Sequence, residues 1–262
     1  MGGGLLLCLH RGALGCLALG AAVAGCTSPG AAAGASEGPA SLRNLPLVEL
    51  PTGAPSPVMA LVMSGDGNWA HFIRELADTL VDRGIPVVGL ESRSYLSRPR
   101  TPEELAQDME GVLRRYLRAW SAEEILVVGY SRGADFAPFL VNRLPPDLRA
   151  RIQAVALLSP TKMASFEFHL IDLIRYVHRD TDLDAIPEVE ALAPIPTLCI
   201  YGREDESALC PDLPAGLADV VALDAGHRLR DSGEVADLII DRLEGGRGSA
   251  PTSSGSPPDS RR

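Results

Sequence analysis

Ile125-Leu126-Val127-Val128-Gly129-Tyr130-Ser131-Arg132-Gly133-Ala134 runs four apolar residues of high β preference straight into a Gly-x-Ser-x-Gly pentapeptide, and from Asp135 to Leu144 the pattern becomes helical. A serine hydroxyl is a poor nucleophile at neutral pH, so it must be held exposed on a tight turn beside a base. Glycines two before and two after the serine permit that turn, and strand, sharp turn, helix is the setting in which the pentapeptide presents a nucleophile. Ser131 is the candidate. The competing reading is an elbow kept for packing alone.

Outward from this run, short apolar stretches alternate with helical patterns, as a mostly parallel sheet flanked by helices requires. Leu45 to Leu50 predicts an edge strand and Val58 to Met63 a buried one, which ends at the loop Ser64-Gly65-Asp66-Gly67-Asn68-Trp69. A helix follows from His71 to Arg83, then a strand from Pro86 to Leu90, and Thr101-Pro102-Glu103-Glu104 opens a second helix as an N-cap followed by Pro and acids. Val155 to Leu158, Thr197 to Tyr201 and Val220 to Leu223 complete the strands, and Glu234 to Leu243 closes the domain as an amphipathic helix. The fold class is α/β, of the α/β-hydrolase type. Between Leu158 and Thr197 lies an insert, with a helical centre from Phe166 to Val177, that is expected to form a small cap over about 161–194.

The chain order of this fold is serine, acid, histidine. Of five histidines only His227, in Asp224-Ala225-Gly226-His227 after a strand, lies where the base belongs; His71, His169 and His178 fall in helical patterns and His10 near the start. The acid belongs in Gly202-Arg203-Glu204-Asp205-Glu206, where Gly-x-x-Asp favours Asp205, with Glu204 and Glu206 as competitors. A tetrahedral oxyanion needs two backbone N–H donors: Arg132, directly after the serine, supplies one and Gly65 or Asp66 the other. The glycine-rich loop lacks the Gly-Lys-Ser/Thr ending of a nucleotide-binding loop, and no Cys/His cluster has metal-ligand spacing. No cofactor or metal is expected.

The ends differ from the middle. After His10 and Arg11, Ala13 to Ala24 is an apolar run too short to span a bilayer comfortably, ending in Val23-Ala24-Gly25-Cys26, the shape of a lipoprotein signal with Cys26 as the lipidated residue. The expected organisation is a signal over 1–25, a tether over 26–44, the domain over 45–244 and a disordered Gly/Ser/Pro/Arg tail over 245–262. Thr27 is not the Asp that commonly retains lipoproteins at the inner membrane, which points to a periplasmic protein on the outer membrane of a two-membrane cell. Removal of Cys8 and Cys16 with the signal leaves Cys199 and Cys210 in an oxidising compartment; they are expected to form a disulfide, the alternative being a buried thiol at Cys199 and a solvent-facing one at Cys210. The net charge of −10 argues against a nucleic-acid partner.

Ser64-Gly65-Asp66-Gly67-Asn68-Trp69, Glu91-Ser92-Arg93-Ser94-Tyr95 with Arg100-Thr101-Pro102-Glu103, Gly129 to Asp135, and Cys199-Ile200-Tyr201-Gly202 with Cys210 together resemble the bacterial virulence protein family VirJ/AcvB. The chain departs from the family pattern at Asn68, Arg132, Leu96, Ser97 and Arg228. The resemblance implies a periplasm-facing serine hydrolase that removes the aminoacyl group from lysyl-phosphatidylglycerol, reached through the lipid anchor. Asp66, Asp135 and Trp69 are the residues expected to meet substrate, with Asp66 or Asp135, both near the elbow, taking the lysyl ammonium; the alternative is that these are surface or helix-capping acids. The family's link to type IV secretion supports a second reading, a non-catalytic accessory protein with secretion-system partners; a general carboxylesterase acting on small esters is a third.

Overall fold

The computed structural model describes residues 44–169 and 179–248. The expected signal, Cys26, most of the tether, His178, the rest of the predicted cap helix and the chain from 249 onward lie outside the described residues. The elements follow in chain order: β1 (Leu47–Leu50), β2 (Val58–Met63), α1 (His71–Asp82), β3 (Val87–Leu90), the single turn α2 (Ser92–Tyr95), α3 (Pro102–Ala119), β4 (Glu124–Tyr130), α4 (Arg132–Arg143), the short α5 (Pro146–Arg149), β5 (Ile152–Leu158), β6 (Met163–Ala164), β7 (Leu183–Asp184), α6 (Ile186–Glu190), β8 (Thr197–Gly202), β9 (Asp219–Leu223) and α7 (Ser232–Gly248).

Seven strands form one sheet in the order β1-β3-β2-β4-β5-β8-β9, with β1 antiparallel to β3 and every other pairing parallel. β2 is buried along its whole length because helices cover both faces. The period of two sorts its side chains: Met59, Leu61 and Met63 face the α3/α4 layer, while Val58, Ala60 and Val62 face α1 and α7. β4 repeats the division, with Ile125 and Val127 on the first side and Leu126 and Val128 on the second. α3 starts as its sequence predicts: the Thr101 hydroxyl accepts from the Glu104 N–H at 3.1 Å and the Glu104 carboxylate accepts from the Thr101 N–H at 3.0 Å. Among the described residues no helix is long and apolar enough to cross a membrane.

Two expectations need correction. Phe166 to His169 is not helical, because the backbone carbonyls that a helix would use already accept other donors: Phe166 from the Arg100 N–H at 3.0 Å, and Ser165 and Glu167 from the Arg132 guanidinium. The Phe166 ring meanwhile packs against Phe136, 4.6 Å between centroids, and Phe139. The insert also contains an unforeseen ribbon in which β6 pairs antiparallel with β7, and α6 is tied to α4 where the Asn142 amide donates to the Glu188 carbonyl at 2.8 Å. At the other end α7 continues through Gly248, past the boundary drawn at 244, since each residue added to an existing helix closes another hydrogen bond at small entropic cost.

Candidate active site

The carboxyl ends of β2, β3, β4, β5, β8 and β9 open on one edge of the sheet, where an open parallel sheet gathers its functional loops. Ser131 stands at the tip of β4 with φ 52° and ψ −120°, a conformation that costs a non-glycine residue on the order of 1–3 kcal/mol. The surrounding packing holds it there. A Cβ on Gly129 would lie 2.3 Å from the Gly133 carbonyl oxygen, and one on Gly133 would lie 2.2 Å from that of Met63, so both glycines are needed for α4 to close onto β4 and β2.

The Ser131 hydroxyl lies 2.8 Å from Nε2 of His227, whose Nδ1 lies 2.7 Å from a carboxylate oxygen of Asp205. The structure therefore brings together all three residues that the chain order singled out, and selects Asp205 over the exposed Glu204 and Glu206. Gly202 allows this convergence, since a Cβ there would strike the carbonyls of Ala225 and Gly226 in the histidine loop at 2.2 Å. Burial works to raise the Asp205 carboxyl, but hydrogen bonds from Ser207 and His227 outweigh it and hold the group below the usual Asp range. Ser207 donates through both its N–H, at 3.0 Å, and its hydroxyl, at 2.6 Å. Sequence reasoning missed Ser207, although Asp-x-Ser is a recognisable turn signature. The acid loop is closed covalently by the Cys199–Cys210 disulfide, with Cα atoms 5.7 Å apart.

Gly65 borders the nucleophile: a Cβ built on it would lie 3.1 Å from that of Ser131. Its loop is tied at several points. The Ser64 hydroxyl accepts from the Ser92 N–H at 3.1 Å, and the Asn68 side chain both donates to the Ser94 hydroxyl at 2.8 Å and accepts from the Ser94 N–H at 3.1 Å. Gly65 in this loop and Arg132 at the first position of α4 thus both adjoin Ser131, in the neighbourhood where the oxyanion donors were expected.

The three residues expected to meet substrate have other partners. Asp66 forms a two-pronged ion pair with Arg132, through Nε and through Nη2 at 2.9 Å, so its charge is already matched. Asp135 is buried and accepts from the Thr161 N–H at 2.6 Å and the Thr161 hydroxyl at 3.1 Å. Burial pushes its carboxyl up to about 7, against the lowering effect of Thr161 and Arg132. The Trp69 ring lies on Gly89, where a Cβ would come within 2.3 Å of it, and packs with the α1/α7 layer. Asp66 and Trp69 remain partly exposed, whereas Asp135 is buried.

The sequence model described as bacterial virulence protein (VirJ) matches residues 57–246. The chain belongs to the VirJ family. This VirJ-family chain also resembles solved α/β hydrolases at low identity. One is described as a dienelactone hydrolase from Klebsiella pneumoniae (TM-score 0.52, 16% identity, 76% of this chain and 89% of that one). Another is an esterase from Pyrococcus furiosus (0.53, 14%, 78% and 91%), and a third is a protein of unknown function from Agrobacterium tumefaciens described as an α/β hydrolase (0.53, 19%, 76% and 91%). At these identities the likeness establishes the fold. No curated protein matches by sequence.

Proposed function

We propose that this VirJ-family protein is a serine hydrolase of carboxylic esters, with Ser131 as nucleophile, His227 as base and Asp205 as orienting acid. The observation that carries this reading is the continuous chain of contacts, 2.8 Å from serine to imidazole and 2.7 Å from imidazole to carboxylate. Asp205 accepts the Nδ1–H proton, so Nε2 is the basic nitrogen facing Ser131. As the Ser131 oxygen forms its bond to the ester carbon, the hydroxyl proton passes to His227 Nε2. The carbonyl oxygen, now negative, is met by the Arg132 N–H and by one from Gly65 or Asp66. The tetrahedral centre collapses, the alcohol leaves with the proton from His227, and water deacylates the serine by the same steps in reverse. Similar solved structures include proteins named as an esterase and a dienelactone hydrolase, which accords with ester chemistry.

The ester we favour is that of an aminoacyl lipid, lysyl-phosphatidylglycerol, met in the periplasm by a protein anchored through Cys26. Family membership and the signal-like start support this choice. Hydrolysis would release lysine and leave phosphatidylglycerol. The test is labelling with a fluorophosphonate probe: wild type labels, Ser131→Ala does not, and His227→Ala labels at least about 10²-fold more slowly. Absence of labelling in a folded wild type would return the site to a packing role. Lysine release from lysyl-phosphatidylglycerol vesicles, compared with turnover of p-nitrophenyl acetate, then separates the lipid substrate from a general ester.

A further inference from the structure

The guanidinium of Arg132 joins three segments that approach the nucleophile from different parts of the chain. It sits on the first residue of α4, next to Ser131, and its side chain is only 8% exposed. Nε and Nη2 grip Asp66 in the loop after β2, and Nη1 donates to the Ser165 carbonyl at 2.9 Å and the Glu167 carbonyl at 3.4 Å at the start of the insert. Only a planar fork with several fixed donors can serve a carboxylate and two carbonyls at once; a lysine ammonium cannot reproduce that geometry. The positive charge is matched by Asp66, so its field at the reacting carbonyl is largely cancelled. What remains is position.

Resting on the hydrolase reading above, we infer that the Arg132 side chain is a positioning residue: through Asp66 it sets the backbone of the Gly65-Asp66 loop at the distance from Ser131 that the oxyanion requires, and through Ser165 and Glu167 it couples that loop to the insert. Gly65 lies close enough to Ser131 for a small displacement to matter, with a hypothetical Cβ contact of only 3.1 Å. Donors aimed at an oxyanion lose their effect when moved by a fraction of an ångström to an ångström.

Removing Arg132 alone would leave a carboxylate without its partner, so the decisive variant is Arg132→Met/Asp66→Asn, which removes both charges together. Its circular dichroism should match wild type, while kcat on p-nitrophenyl acetate should fall about 10²-fold with KM within about threefold, the pattern of an interaction made in the transition state. Arg132→Lys keeps a charge opposite Asp66 without the fork, should show the same split to a smaller degree, and carries the test if the double variant does not fold. The double variant should be no slower than the slower of Arg132→Met and Asp66→Asn, because each single variant already breaks the Arg132–Asp66 pair. Unchanged kcat, or raised KM at unchanged kcat, overturns the inference. Fluorophosphonate labelling of wild type separates the two claims: if wild type labels and the variants keep full kcat, only the positioning role falls; if wild type never labels, the hydrolase reading falls and takes this one with it.

Discussion

Asp135 is sealed between α4 and Thr161, with Arg132 and Asp66 as its charged neighbours, and its carboxyl keeps its proton to about pH 7. An unfolded chain releases that proton near 3.8, so between these values the folded state binds more protons and loses stability as pH rises. Asp135→Asn retains an oxygen for the Thr161 N–H and gains a donor for the Thr161 hydroxyl without a buried charge. The variant should therefore melt close to wild type at about pH 3.5, below the unfolded value, and above it at pH 8, by about 2–4 °C for each kcal/mol in a domain of this size. A gap that is equal at both pH values would contradict the assignment. Asp205 has the opposite sign: its depressed carboxyl supports the fold above its unfolded value and stops doing so as pH falls. Sequence could name Ser131, Asp205 and His227 because each follows a strand in a fixed order. It could not tell that Asp66 and Asp135 already have partners, since Arg132 and Thr161 lie 66 and 26 residues away.

At the scale of elements, apolar runs announced the sheet because β2, β4 and β5 are buried on both faces. The β6–β7 ribbon left no such trace: each strand has two residues, and Leu183 is exposed. Likewise, the irregular backbone of Ser165 to Glu167 is dictated by donors from Arg100 and Arg132, which no local periodicity reports. The disulfide belongs to this scale too, because it ties the buried end of β8 to the 3-10 turn Cys210–Asp212 across the loop bearing Asp205. Closing a loop of this length is worth about 2–4 kcal/mol in restricted unfolded-chain entropy. Cys199→Ala/Cys210→Ala should lower the unfolding free energy by that amount, read as a lower urea midpoint at unchanged m, and reductant should shift wild type but not the variant. A wild type indifferent to reductant would show that the bond adds nothing.

For the whole molecule the relevant quantity is charge. The chain carries −10, whereas lysyl-phosphatidylglycerol, the substrate proposed above, has a net positive head group and phosphatidylglycerol, which its hydrolysis would leave, a negative one. An acidic protein would be drawn toward substrate-rich bilayer and released from product, an attraction screened over about 10 Å at 0.1 M salt. Lysine release from vesicles should thus slow several-fold between about 10 mM and 150 mM salt while turnover of a neutral soluble ester stays level. Parallel salt dependence of the two would argue against the cationic lipid. The Cys199–Cys210 bond also bears on when the molecule matures. On the proposed periplasmic location, a newly made chain in a reducing cytosol would hold its acid loop by noncovalent contacts alone, and the loop would be locked covalently only on arrival in an oxidising compartment.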